Sequence, residues 1–343
     1  MTIGLSFKAA SHRGRVCSFR HGSHWAAMSL AAALALAPLS CLSADAFPSR
    51  PVRIVVPYPP GGNVDIVTRL VASGIQDASK FALVVENRPG ASEMIGTESV
   101  ARSAPDGYTV GVVSNSLVIN PFLAPKPPYD AARDLLPVTI LAVSPMALVV
   151  SSELPVHSVR ELLEYSRGKP GALNYASIGA GSPHELAAEW LKYSAKLDIV
   201  GIPYKGVAPA LTAIATGEVQ LMFTGLAAAL PQERAGKIRL LAISGKARSR
   251  AAPNIPTIAE AGLPGFEFVA WYGVVAPAGT PQETISKLQE QLVNALSARS
   301  VADRYKDLGL EALAMTPAQF NNFLQEDTQL WERIIRSVHS RSR

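Results

Sequence analysis

The stretch Ile54–Arg69, IVVPYPPGGNVDIVTR, decides how the rest of the chain is read. It closes an apolar run, begun at Val52 and ending at Pro57, that is long enough for a buried strand. Tyr58-Pro59-Pro60-Gly61-Gly62 then imposes a turn, because proline fixes φ and removes a donor while paired glycines allow positive φ and close backbone approach. Helical spacing resumes from Asn63 to Leu70, with Asn63 placed to cap the helix and Asp65 favourable in its first turn. Strand, glycine turn and helix start together set free N–H groups at a helix's positive end, a site for an anion that needs no basic side chain. Taken alone, the same pattern is also the tight turn of any α/β domain. No Gly-Lys-Ser/Thr follows, which excludes a P-loop, and two adjacent glycines do not make a G-x-G-x-x-G fingerprint.

The first 46 residues read as an export leader. Lys8, Arg13, Arg15 and Arg20 form a basic region, and Ala26 to Leu39 is apolar but shorter than the roughly 20 residues that span a bilayer. Ala44-Asp45-Ala46 offers a small-x-small cleavage site, so the mature chain is expected to start at Phe47. Acylation at Cys41 is the alternative, although Pro38-Leu39-Ser40 before it fits a lipoprotein signal poorly. Both cysteines, Cys17 and Cys41, leave with such a leader, as suits a chain in an oxidising compartment. The whole chain carries 32 basic and 27 acidic residues, and the mature part 28 against 26, so the basic balance lies largely in the leader. No clustered basic stripe points to nucleic acid.

Strand-like and helix-like segments then alternate, predicting an α/β protein with largely parallel sheets. Strands are expected at Val52–Pro57, Ala82–Glu86, Thr109–Ser114, Leu136–Leu141, Ala147–Ser151, Leu173–Ser177, Asp198–Pro203, Val219–Thr224, Ile238–Ser244 and Phe266–Ala276. Helices are expected at Asn63–Ser79, Ser92–Ser103, from the capping residue Ser158 to Tyr165, and at His184–Ala195, Val207–Thr216, Leu226–Ala235, Pro281–Ala298, Val301–Leu308 and Pro317–Val338. Pro121 to Pro128 reads as an extended link. Residues 47–145 and 269–343 are expected to form one lobe and 146–268 a second, joined by crossings near Ala142–Ala147 and Phe266–Tyr272. Two crossings favour hinge closure on a ligand between lobes.

Two turns at strand C-terminal ends stand out, where open α/β sheets bind ligands. One is the turn carrying Tyr58, Pro60, Gly61, Gly62, Asn63 and Asp65. The other runs from Ser177 through Gly179, Ala180, Gly181 and Ser182 into a helix with Pro183 in its first turn. Ser114 and Asn115, with Ser116, and Thr224 add small polar groups at equivalent strand ends; each is individually a common cap or turn residue. Enzyme chemistry finds little footing. Ser182 and His184 do not form a G-x-S-x-G elbow and stand two apart at a helix start, where side chains diverge, so His184 reads as a packing residue. His157, His184 and His339 match no zinc spacing, and Lys205 reads as a solvated loop lysine. Trp271 and Tyr272 read as core and hinge aromatics. No cofactor or metal is expected.

The ordered blocks IVVPYPPGGNVDIVTR (54–69), VVENRPGA (84–91), PDGYT (105–109), NYASIGAGS (174–182), PYKGVAPAL (203–211), PTIAEAGLPGFE (256–267) and WYGVVAPAGTP (271–281) carry a specific resemblance. The chain resembles the Bug family, the extracytoplasmic solute receptors of tripartite tricarboxylate transporters, over nearly all of its mature length. That resemblance implies a type II periplasmic-binding-protein fold closing on a small organic acid, no catalysis, and delivery to membrane permease subunits. It also implies that a ligand carboxylate is held by the turns after the first strand and at 179–182, through backbone groups and ordered waters. Three departures stand out: Tyr58 where the family commonly has Phe, Ser92-Glu93 in place of small residues, and Thr224-Gly225 where an Asp is common. The last favours a plain carboxylate over an amino acid. A periplasmic sensor subunit and an enzyme acting on a small acid are the alternative readings.

Overall fold

The structure is a computed structural model that describes residues 47–78, 82–123, 126–179 and 181–339. The predicted leader with Cys17 and Cys41, and Ala180 of the second glycine turn, lie outside the described residues. Val52–Val56 (β1) leads into Asn63–Ala78 (α1), followed by Leu83–Asn87 (β2), Met94–Ala101 (α2), Thr109–Ser114 (β3), Ser116–Leu123 (α3) and the single turn Ala131–Asp134 (α4). Next come Leu135–Ser151 (β4), Val159–Gly168 (α5), Leu173–Ser177 (β5), Pro183–Ala195 (α6), Ile199–Pro203 (β6) and Val207–Ala215 (α7). Leu221–Gly225 (β7), Leu226–Arg234 (α8), Ile238–Ile243 (β8), Val269–Pro277 (β9), Gln282–Ser297 (α9), Arg299–Leu308 (α10) and Pro317–His339 (α11) complete the chain.

The strands follow the order β2-β1-β3-β9-β4-β7-β5-β6, with β8 also paired to β4. β1 runs parallel to β2 and β3, and β5 parallel to β6 and β7, each reached through a helical crossover. Between these groups β9 and β4 run antiparallel to their neighbours. Val64, Val67, Val71 and Ile75 form the buried stripe of α1, spaced three and four apart, and α1 packs on α9. Ser158 caps α5 as its sequence predicts: its Oγ accepts the Glu161 N–H at 3.1 Å, and the Glu161 carboxylate accepts the His157 N–H at 2.7 Å.

Three sequence expectations fail here, the first being largely parallel sheets: four of the eight strand pairings, all those of β4 and β9, are antiparallel. Leu136–Leu141 and Ala147–Ser151 are not separate strands but parts of β4, which pairs with β9 along Leu135–Pro145 and then with β7 and β8. The prolines suggested a break. Pro137 sits at a register shift and Pro145 pairs with the first residue of β9, so the missing N–H groups fall at an irregularity and at a ladder end. The supposed extended link is helical at its start, since α3 includes Pro121. Leu117, Val118 and Ile119 are buried there, and α3 packs on α11; that burial outweighs the one helical bond Pro121 cannot make.

Trp271, fully buried in β9, meets Phe320 and Phe323 of α11 edge-on and donates its Nε1–H to Asp327 at 2.6 Å. Asn115 bonds the same carboxylate at 3.3 Å and accepts the Trp271 backbone N–H at 3.2 Å, so the end of β3 is fixed against β9 and α11. Burial pushes the Asp327 acid up to about 6, against the pull of those donors toward the charged form. The folded chain therefore holds this proton to higher pH than the unfolded chain. The stability it confers is complete below about pH 4 and is lost as pH climbs through about 6. Relative to Asp327→Asn, the wild type should lose on the order of 2 kcal/mol across that window. Urea unfolding of both proteins near pH 4 and pH 7 checks this; parallel behaviour would contradict it.

Candidate ligand-binding site

The two glycine turns share one device. Gly61, at φ +86°, donates its N–H to Asp65 at 3.1 Å, and Gly181, at φ +76°, donates its N–H to Glu185 at 2.7 Å. In each case a carboxylate four residues along, in the first turn of the following helix, closes the glycine amide. Asp65 also accepts from Arg69 and Asn87, both at 3.0 Å; burial works against its charge, but these bonds prevail and hold its carboxyl below the usual range. On the second turn Ser182 caps α6, its Oγ accepting the Glu185 N–H at 3.2 Å, and Ser177 Oγ bonds Glu185 at 3.1 Å while accepting the Gly179 N–H. The N–H groups of Gly61, Gly179 and Gly181 are thus taken internally. The expectation that these turns offer bare amides therefore fails at the three glycines, and in α6 Pro183 has no N–H and that of Glu185 is taken by Ser182.

Asn63 is not the cap of α1. The Gly62 carbonyl accepts the first helical N–H, from Ile66, at 2.9 Å. The buried Asn63 side chain crosses instead to the start of α8, where Oδ1 accepts the Ala228 N–H at 2.9 Å, and Nδ2 donates to the Tyr272 hydroxyl at 3.1 Å. Its path requires glycine beneath it: a Cβ at Gly225 would lie 1.0 Å from Asn63 Nδ2. Gly225, marked in the sequence only as part of the Thr224-Gly225 departure, is the second half of this clamp.

The starts of three helices converge on one small cavity of about 10 Å³: Gly62 just before α1 with Asn63 and Val64 of it, Pro183 and His184 from α6, and Val207 from α7. Tyr58, Ser114, Asn115, Ala270 and Tyr272 complete its wall. Of the residues singled out from sequence, Tyr58, Gly62, Asn63, Ser114 and Asn115 therefore line it. Pro60, Gly61 and Asp65 stand behind it in the first turn; Ser177, Gly179, Gly181 and Ser182 shape the second turn. Thr224 lies fully buried in β7, opposite Ala147 of β4, and its hydroxyl has no partner.

His184 and Tyr272, read from sequence as packing and hinge residues, both face the cavity. Burial pushes the His184 imidazole down to about 4, leaving it neutral at ordinary pH, and its Nδ1 has no partner. No lysine or arginine lines the cavity, and among the described residues no three His, Cys, Asp or Glu side chains group as metal ligands.

Glu93 stands out in the sequence only as a departure from the family pattern. The structure buries it at 4 % exposure against the cavity wall, where both Tyr58 OH and Ser114 Oγ donate to its Oε1, the latter at 2.7 Å. Burial pushes the Glu93 acid up to about 7, and no basic side chain offsets this. The Tyr58 phenol is driven well above its ordinary value by burial and by Glu93. Ala91, Ser92 and Glu93 all take positive φ (47°, 51° and 76°), which is why α2 begins at Met94 rather than Ser92.

A curled mixed sheet with helix starts gathered on one cavity defines the class: a periplasmic-type solute-binding protein. Solved structures of that class superpose closely. A Rhodopseudomonas palustris protein with adipate matches at TM-score 0.83 and 34% identity, covering 85% of this chain and 98% of its own. MatC of the same organism, with bound malate, matches at TM-score 0.80 and 33% identity, covering 84% and 100%. Protein BugT of Bordetella pertussis is 35% identical over 299 residues, 87% of this chain and 92% of BugT. Residues 67–339 match the family described as "Tripartite tricarboxylate transporter family receptor", and the chain belongs to that family.

The Asn63–Gly225 clamp yields a paired test. Asn63→Ala strands the Ala228 N–H and the Tyr272 hydroxyl and should cost about 1–3 kcal/mol. Gly225→Ala should cost a similar amount by forcing the Asn63 amide aside, about 1–3 kcal/mol. Urea unfolding of the double variant should show clearly less than the sum of the two losses. Additive losses would mean that the two positions do not share one contact.

Proposed function

We propose that this protein captures a small organic carboxylate outside the cytoplasm and delivers it to the membrane permease subunits of a tripartite tricarboxylate-type transporter. The observation that carries the reading is the meeting of three helix starts on one cavity that lacks a cation. First-turn N–H groups have no acceptor within their own helix, and each helix presents its positive end there. An anionic guest satisfies both deficits. Tyr58, Ser114, Asn115 and His184 add neutral polar groups around it, which suits a plain carboxylate better than a ligand needing a buried countercharge. The adipate and malate bound by the two R. palustris relatives belong to this chemical class.

The cavity as it stands admits about one water, so a dicarboxylate enters only when its walls part. The contacts that must separate include the Asn63 bond to the Ala228 N–H and the seat of Asn63 on Gly225. Gly206 sits against Pro59, Gly62 against Val207, and Gly179 against Ser92. The residues bearing these contacts divide as the lobes predicted from sequence do, with 47–145 on one side and 146–268 on the other. Parting them about the crossings in β4 and the segment leading into β9 is the hinge motion this reading requires. Closure then follows from the ligand's preference for the shut form. The leader at residues 1–46 supplies export, and the chain performs binding rather than catalysis.

A thermal-shift screen of residues 47–343 against di- and tricarboxylates, aromatic acids and amino acids tests this directly. A true ligand at 100 times its Kd adds about 2.7 kcal/mol of stability. Gly62→Val places a branched side chain in the cavity beside Val207, and should abolish that stabilisation while leaving the ligand-free melting curve cooperative. Full retention of binding by Gly62→Val would contradict the assignment of the cavity.

A further inference from the structure

The Glu93 carboxyl is a buried acid that carboxylate capture by helix starts does not itself use. Its surroundings are one-sided. Tyr58 faces it from the turn after β1, Ser114 by side chain and backbone from the end of β3 and Ser116 from the start of α3, and Tyr129 and Tyr272 lie close enough to feel its charge. All three tyrosines are pushed up by burial and stay neutral, and no lysine, arginine or histidine acts on Glu93. The backbone beneath it is held in three successive left-handed residues, and Asn120 pins the Ser92 carbonyl at 2.9 Å, so the carboxyl is fixed in place.

Each hydroxyl has a single hydrogen. With both directed at Glu93 Oε1, Tyr58 and Ser114 can show the cavity only lone pairs, and Ser114 Oγ already accepts the Ser116 N–H at 3.3 Å. Lone pairs repel a carboxylate. A protonated Glu93 can itself donate, which frees a hydroxyl hydrogen to turn toward the cavity that Tyr58 and Ser114 line.

We propose that Tyr58, Ser114 and Glu93 form a proton-gated relay at the cavity wall, so that capture of a ligand carboxylate is coupled to uptake of one solvent proton by Glu93. This rests on the carboxylate-receptor reading above. An acid pushed up to about 7 by burial is half ionised near neutrality, and a second carboxylate nearby raises it further. The affinity for a dianion then falls as pH rises, because the proton must be recruited before the guest is held. Two other titratable groups border the cavity wall. His184 is neutral throughout the range of interest, and Asp327, behind Asn115, titrates at about 6.

Isothermal titration calorimetry of the mature chain with succinate, malate and adipate at about pH 6 and about pH 8.5 tests the relay. The ligand that binds should lose more than about tenfold in affinity between the two. In paired buffers of different ionisation enthalpy near pH 7.5, up to about three-quarters of a proton should be taken up per ligand bound. Glu93→Gln should flatten the pH dependence, whereas Asp327→Asn should leave it in place. The wild-type measurement needs no variant to fold. Binding with equal affinity at both pH values and no proton uptake would overturn the relay and leave the receptor reading standing. No binding by any acid of the thermal-shift screen, these three included, at either pH would overturn the receptor reading, and the relay with it.

Discussion

An amide hydrogen in the first turn of a helix has no acceptor inside that helix, and a fold that buries several such turns together must answer for all of them. Here the starts of α1, α6 and α7 share one cavity. The two glycine turns satisfy part of the demand internally, through Asp65 on Gly61 and Glu185 on Gly181. Asn63 answers for the start of α8 by accepting from Ala228. What is left around the cavity is an excess of positive helix ends over acceptors, without a fixed cation. A wall that lacks a fixed cation binds an anion by geometry and holds no ion pair that would persist when the guest leaves.

Keeping that wall neutral requires unusual support. Glu93, Asp327 and His184 are all buried, and burial drives each toward its uncharged form. The left-handed run Ala91–Glu93 costs on the order of 1–2 kcal/mol per residue and persists because bonds from Tyr58, Ser114 and Asn120 fix it. Strain and buried acids thus gather at the place where β1, β3 and β9 end or begin. The outer scaffold, by contrast, follows ordinary rules of apolar periodicity and capping.

Much of this scaffold was legible in the sequence because its signals are local. β1, its glycine turn and α1 follow from an apolar run, Pro-Pro-Gly-Gly and three-four spacing, and Ser158 with Glu161 announces α5. The ordered motif blocks pointed to the family that the comparison with known sequences shows. The continuity of β4 was hidden because its prolines read as breaks, and only the pairing with β9 and β7 reveals that neither is needed by the ladder. At the site, Tyr58, Ser114 and Asn115 could be placed from their position at strand ends. Asn63 carried the right address and the wrong role, since a cap and a bridge to a helix 165 residues away look alike in sequence. Glu93 and His184 escaped because their meaning depends on burial, which no local pattern records; the one available signal was that Tyr58 and Glu93 depart from the family pattern together.

The central claim is that helix-start amides, not basic side chains, hold the guest's charged end. A crystal structure of the mature chain with a tightly bound dicarboxylate measures this most directly. The account predicts one carboxylate lodged between the first turns of α1 and α6, its oxygens within hydrogen-bonding distance of their N–H groups directly or through a single water. A carboxylate seated elsewhere, paired to a lysine or arginine outside this cavity, would contradict it.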